Sequence, residues 1–266
     1  MPAIVASIVS LKGGVGKTTT TANIAAVAAD TYGLRVMIGD ADPQGHLSDW
    51  FGIKRSPGMG FAELLNPPDS GRIDVRAALQ QPDPEVPLWV LPTSYLEMED
   101  VEVKLSTVPE LGGIWSMSRA IQPLLNDFDL ILLDTRPTLG NLTSAAVCAS
   151  NVVLPITEPR LPSLQSTLAA VAKAERIREK QNASLVVGGW LLNKWGDHEE
   201  ADKVKGELQR REVPVFQPAI YTGEYIPKAY IWGNPAVWQF PNNRGAHQDY
   251  KPLVGGILTS FGLVAA

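Results

Sequence analysis

One cysteine, Cys148, stands among the 266 residues, so no internal disulfide can form and no site built on several thiolates is available. It lies in an apolar Ala/Val stretch and reads as a small core residue, in keeping with a reducing compartment. A general excess of basic residues is also missing. The net charge of −5 argues against a chain coated over its whole surface by nucleic acid. No apolar run approaches the roughly 20 residues that a spanning helix requires. The first such run, Ala3 to Val9, has no Lys or Arg ahead of it, so neither a signal peptide nor a spanning helix is expected and the expected location is cytoplasmic. Internal repeats, low-complexity tracts and coiled-coil heptads are absent as well.

The average charge hides an asymmetry. Residues 1–150 hold 10 Lys and Arg against 17 Asp and Glu, whereas residues 151–266 hold 13 against 11. Any face that binds a polyanion is therefore local and expected in the C-terminal half. With 45% hydrophobic residues the chain has material for one large core, and a single domain over 1–266 is expected.

The nearly unbroken apolar run Ala3–Leu11 predicts a strand buried on both faces of a parallel sheet, followed by a helix over Thr18–Ala29 and a second strand over Arg35–Gly39. Further strands are expected at Leu88–Leu91, Leu130–Leu133, Val152–Ile156 and Leu185–Leu192. Helices are expected over Trp115–Asn126, Leu164–Gln181 and Glu199–Arg211. This alternation predicts an α/β fold, a doubly wound and mostly parallel sheet with helices on both faces, and the glycine-rich loop read below makes it one of the P-loop NTPase type. The stretch Pro57–Pro87, rich in Pro, Gly and Asp, reads as a surface excursion.

The chemistry is concentrated in three motifs. Lys12-Gly13-Gly14-Val15-Gly16-Lys17-Thr18 follows a buried strand and opens a helix, as a phosphate-binding loop does. Lys17 is placed to reach the β- and γ-phosphates and the Thr18 hydroxyl to ligate Mg²⁺, with Thr19 next in the helix. The loop departs from the common P-loop because Leu11 occupies the place of its first glycine and Lys12 adds a second lysine. A dinucleotide fingerprint fails, since position 19 holds Thr19 where a third glycine belongs. Asp40-Ala41-Asp42-Pro43-Gln44-Gly45 sits at the carboxyl end of the second strand, where two carboxylates can divide metal holding from water positioning. The run Asp129–Asp134 is a buried strand that delivers an acid, in the manner of a Walker B segment.

Together these residues resemble the ParA/MinD group of deviant Walker A ATPases, over nearly the whole chain. Pro155, Gly233-Asn234-Pro235 and Arg244-Gly245-Ala246 look like C-terminal landmarks of ParA partition proteins. The resemblance implies ATP and Mg²⁺ as cofactors, with Lys12, Lys17 and Asp42 as catalytic residues. Lys12 would reach across an ATP-dependent homodimer to phosphates bound by the other subunit, and Gly13 would leave room for the partner. Asp42 would position water, Asp40 and Asp134 would stand in the Mg²⁺ shell with Thr18, and Asn193 and Pro218 would lie at the base. Implied partners are a ParB-like centromere-binding stimulator and nonspecific duplex DNA, with nucleoid association in the ATP-bound state and no membrane. With 11 residues ahead of Lys12, no N-terminal helix-turn-helix is expected, as in the shorter ParA type.

Two departures from the family pattern stand out. Arg136 precedes Pro137 where two prolines are usual, and it fits either a phosphate contact or a surface ion pair. Tyr225 occupies the place of an arginine on the DNA-binding face, which leaves Lys228, Lys203, Lys205, Arg210 and Arg211 as candidates. The alternative within the group is a MinD-like or other ParA-like ATPase that positions a protein assembly or a membrane-bound cargo. The tail Gly255–Ala266 has no basic residue and three glycines, unlike a basic amphipathic membrane helix. Metabolic relatives of the fold carry cysteines at the dimer seam, which one cysteine cannot supply.

Overall fold

The computed structural model of the chain describes residues 1–53, 60–66, 74–93, 95–107, 113–138, 140–221 and 244–265. Within them a seven-stranded, all-parallel sheet forms from β1 (Ile4–Val9), β2 (Val36–Asp40), β3 (Leu88–Leu91), β4 (Leu130–Asp134), β5 (Val152–Thr157), β6 (Val186–Val187) and β7 (Leu191–Leu192). The strand order is β3-β2-β4-β1-β5-β6, and β7 also pairs with β5. β1 thus lies between β4 and β5, with Ile4 opposite Leu130 and Val9 opposite Pro155. This is the doubly wound architecture that the alternating apolar runs predict.

Helices cover both sheet faces, which is why the strands are apolar throughout. On one face Ala6, Ile8, Val36, Ile38, Leu130 and Leu132 pack against α1 (Lys17–Asp30) and α10 (Arg244–Ser260). On the other, Val5, Met37, Ile131 and Leu133 meet α3 (Phe61–Leu65), α5 (Tyr95–Thr107), α6 (Ser116–Ile121) and α7 (Asn141–Ala149). α1 lies between the sheet and α10, and it is buried on nearly every side from Thr20 to Ala29. Its alanines at positions 22, 25, 26, 28 and 29 permit that close approach. The remaining helices are α2 (His46–Trp50), α4 (Val75–Ala78), α8 (Leu161–Lys180) and α9 (Glu199–Arg210).

Three expectations need correction. The strand expected over Leu185–Leu192 is two short strands. β6 pairs Val186 with Val152 and β7 pairs Leu191 with Ile156, so one extra residue is accommodated between them around Gly188-Gly189. A Cβ at Gly189 would lie 2.7 Å from the Phe216 ring, which explains a glycine where a continuous strand would carry a side chain. The helix expected over Trp115–Asn126 stops at Ile121 and gives way to a 3-10 turn, Gln122–Leu124, because Pro123 offers no N–H to continue the ladder. The stretch 57–87 is more than a surface excursion, since within its described residues Phe61, Ala62, Leu65, Val75 and Ala78 join the core.

The apolar side of α10 is committed to that core through Leu253, Val254, Ile257 and Leu258, with Phe261, Leu263 and Val264 packed beside them. Ile257→Ala should therefore lower stability by about 2–5 kcal/mol, the usual range for a cavity made in a packed interior. Urea unfolding followed by circular dichroism would show it as a lower midpoint at unchanged slope.

Candidate functional site

In a parallel sheet all carboxyl ends lie on one side, and here those of β1, β2, β4, β5 and β7 bring their following loops together. After β1 the chain turns through residues 10–16 into α1. Gly14 and Gly16 hold left-handed backbones with φ of 73° and 96°, which a side chain would strain. A Cβ at Gly16 would also collide with the Asn193 amide. Gly13 is exposed, and a Cβ there would meet nothing within 4 Å. α1 begins with no side-chain cap and no acidic residue in its first turn, so its leading N–H groups and positive dipole end are left for an anion.

Lys17 is buried and donates to the Lys12 carbonyl at 3.4 Å. Burial lowers its pKa, against the opposing pull of the Asp134 and Asp42 charges. The Thr18 hydroxyl donates to Asp134 Oδ2 at 2.7 Å, and Thr19 lies half-buried one residue on. Asp40 and Asp134 are opposite one another on β2 and β4. Asp40 Oδ2 accepts from the Ser48 N–H at 2.9 Å and the Ser48 hydroxyl at 2.7 Å. Burial, then repulsion from Asp134, pushes the Asp40 pKa up to about 7, while burial outweighs the Thr18 hydrogen bond to raise Asp134 to about 6.

Two buried carboxylate oxygens, Asp40 Oδ1 and Asp134 Oδ1, have no hydrogen-bond partner. Orphaned, like-charged oxygens beside a threonine hydroxyl are the hard-oxygen donor set that suits Mg²⁺ bound in part through water, so the residues fit that ion. Asp42, half-buried, closes the next turn: its Oδ1 accepts from Gln44 N–H at 3.0 Å and its carbonyl from Gly45 N–H at 2.9 Å.

Asn193 follows β7 and is buried against the loop, its Nδ2 donating to the Val15 carbonyl at 2.7 Å while Oδ1 has no partner. An acceptor of that kind suits the exocyclic amine of a base. Pro218, half-buried after a cis peptide bond, lies two residues before Ile220, whose N–H donates to the Leu192 carbonyl. The segment of Pro218 therefore runs beside the strand that ends at Asn193. The structure thus gathers Lys12 through Thr19, Asp40, Asp42, Asp134 and Asn193 at one end of the sheet, as the motifs imply.

Two residues were not legible as site residues in the motifs. Glu158, one residue past β5, accepts from Lys12 Nζ at 2.8 Å and from Lys194 Nζ at 3.2 Å. Burial works to raise its pKa, but the Lys12 hydrogen bond and the Lys194 charge outweigh that and hold it below the ordinary glutamate value. Lys194 also donates to the Gly14 carbonyl. The signals available were an acid just beyond a strand's carboxyl end and a lysine adjoining Asn193.

The candidate DNA contacts are gathered elsewhere. Lys203, Lys205 and Arg210 lie on α9, with Arg211 at its end. Lys203 pairs with Glu199 at 2.7 Å, while Arg210 and Arg211 pair with Glu207 at 2.7 and 3.8 Å. Lys228, Tyr225 and the Gly233-Asn234-Pro235 landmark lie outside the described residues. Arg136 lines a small depression with Ser10, Thr135 and Lys173. No helix among the described residues is long and apolar enough to cross a membrane.

Known proteins share this fold and, in part, this sequence. The AAA_31 family profile, an AAA domain, matches residues 3–187. The chain is 28% identical to the chromosome-partitioning ATPase Soj of Thermus thermophilus, covering 95% of this chain and 94% of Soj. Its fold superimposes on a McdA–ATP complex from Cyanothece with a TM-score of 0.84 at 18% identity, over 99% and 98% of the two chains. It also superimposes on the septum site-determining protein MinD of Pyrococcus horikoshii, complexed with Mg-ADP, with a TM-score of 0.78 at 21% identity, over 98% of each chain.

Lys17→Ala should weaken binding of a fluorescent ATP analogue by roughly 100-fold, the scale of lost charge-assisted hydrogen bonds. Unchanged affinity would remove Lys17 from the site. The paired acids give a pH dependence. Because the folded state raises both pKa values above those of the unfolded chain, it keeps protons that the unfolded chain releases between pH about 4 and 7. In EDTA, stability should fall as pH rises through that window, and Asp40→Asn should flatten the fall. Urea midpoints measured at pH 5 and 7.5 would test both.

Proposed function

The chain belongs to the AAA_31 family as a ParA/MinD-type P-loop ATPase, and from that premise we propose that it is a partition ATPase whose ATP-bound homodimer binds nonspecific duplex DNA. The observation that carries the reading is the two-lysine loop: Lys17 is buried in the loop of its own chain, while Lys12 stands on the partly exposed side, next to an unobstructed Gly13. ATP lies with its phosphates on the N–H groups of residues 13–19 and its base toward Asn193 and Pro218. Thr18 and, through water, Asp40 and Asp134 would hold Mg²⁺, which would supply positive charge to the β- and γ-phosphates. Lys17 steadies the same oxygens. Lys12 of each copy reaches the phosphates of the other, so a second cation arrives only when the site is closed to water, where it acts most strongly. Asp42 orients the attacking water.

In this reading hydrolysis is slow until a ParB-like centromere-binding partner stimulates it, and the dimer then leaves DNA, which moves a plasmid or chromosome. The acidic partners of Lys203, Arg210 and Arg211 favour a second reading, in which the same cycle positions a protein assembly. A membrane-bound version draws no support from α10, whose apolar side is occupied by the core.

Asp42→Ala separates these steps. The variant should bind ATP, accumulate as a dimer on sizing chromatography with Mg²⁺, and hydrolyse ATP at least about 100-fold more slowly, the scale of lost general-base assistance. That trapped dimer should retard arbitrary duplex DNA, with affinity that drops steeply with salt through counterion release. An ATP-loaded dimer that ignores DNA at low salt would sink the DNA reading and leave the protein-positioning one.

A further inference from the structure

Glu158 is held firmly. Its backbone N–H donates to Ser163 Oγ at 3.1 Å, and its side chain is 11% exposed. Each of its two oxygens carries a different lysine, Lys12 on Oε2 and Lys194 on Oε1. Lys194 is itself fixed at both ends. Its ammonium bonds the Gly14 carbonyl, and its backbone has φ of 52°, a left-handed conformation uncommon outside glycine. The first lysine of the loop is thus tied to a carboxylate of its own chain. A lysine engaged with Glu158 cannot at the same time neutralise phosphates on a second copy.

Removing one partner from a shielded ion pair is costly chiefly because the other charge is left unpaired. Here Glu158 keeps Lys194 when Lys12 departs, so the cost is confined to one of two contacts. Lys194 also prevents a bare carboxylate from facing incoming phosphates. We propose that Glu158 is a latch that holds Lys12 on its own subunit, and that Lys194 is the standing counter-ion that lets the latch open, so that the pair sets the protein concentration at which ATP closes the dimer. The proposal rests on the assignment of Lys12 to the partner's phosphates made above, and it adds what restrains that lysine beforehand.

Two substitutions should act in opposite directions. Glu158→Gln removes the charge that retains Lys12, and the dimerisation midpoint in ATP and Mg²⁺ should move to roughly two- to fivefold lower protein concentration, the scale of a partly exposed ion pair. Lys194→Gln leaves Lys12 as the sole counter-ion of Glu158, and the midpoint should move upward. Analytical ultracentrifugation over a concentration series reads both. Shifts in the same direction, or none, would overturn the latch. A second measurement stands apart from dimerisation: acetylation of Lys12 by acetic anhydride in the nucleotide-free chain, followed by peptide mass spectrometry, should be severalfold faster in Glu158→Gln. A wild-type chain that stays monomeric in ATP would defeat the dimer reading instead. The labelling then decides the latch alone, with faster modification supporting it and an unchanged rate overturning it.

Discussion

The uncapped first turn of α1 is the constraint on which the rest of the site depends. A helix buried along most of its length ordinarily satisfies its leading N–H groups with a side-chain cap, yet Gly16 offers none and the first turn holds no acid. Those donors and the dipole behind them make an anion site only if the chain entering the helix leaves them uncovered. That requirement accounts for the left-handed turns at Gly14 and Gly16, which keep side chains away from the loop's inner surface. The buried position of Lys17 follows too, because an ammonium with a lowered pKa in dry surroundings is well prepared to pair with phosphate.

The sheet supplies what α1 cannot. With β1 flanked by β4 and β5, the loop is bordered on one side by the acids of β2 and β4 and on the other by Glu158 and Asn193. The division is chemical as well as spatial: carboxylates suited to a divalent cation lie on one flank, and an amide suited to a base on the other. Asn193 links the two tasks by donating to Val15 while keeping Oδ1 unpaired. The extra residue between β6 and β7 shifts the register by one, so the strand end that carries Asn193 falls one residue later than an uninterrupted pairing would place it.

Much of this was legible in the sequence because it is encoded locally. A strand buried on both faces reads as an unbroken apolar run, and the loop's glycines, lysines and threonine are contiguous, so both the parallel sheet and the phosphate site follow from short windows. Asp40 and Asp134 were legible because each ends such a run. What escaped is what depends on distant pairing. Within Leu185–Leu192 the pair Gly188-Gly189 hints at an interruption, but the one-residue step shows only in the pairing with β5, and the lack of room for a side chain at Gly189 only in the approach of the Phe216 ring. The core role of Phe61 and Leu65 was hidden by the prolines around them, and Glu158 gained meaning only once folding brought Lys12 and Lys194 to it from opposite directions along the chain.

The charges around the loop bear on the proposal that one subunit supplies only part of the site. Lys17 feels the charges of Asp134 and Asp42, and Lys12 and Lys194 pair with Glu158, so all three lysines have carboxylate neighbours before any phosphate arrives. Two of the three lysines are also committed to Glu158. A single chain can therefore offer phosphate mainly Lys17, the N-terminus of α1 and whatever a divalent cation contributes at the acids of β2 and β4. Charge that grows on the phosphate oxygens during transfer calls for a further cation, and the nearest one is held away by a carboxylate of its own chain. Freeing it costs less when something is gained at the same moment, and in the proposed dimer the approach of a second copy would provide that gain while excluding water, which strengthens every remaining contact. On the proposed dimer reading, nucleotide binding, subunit pairing and catalytic competence would be coupled through Lys12, and the coupling would be only as strong as its attachment to Glu158 allows.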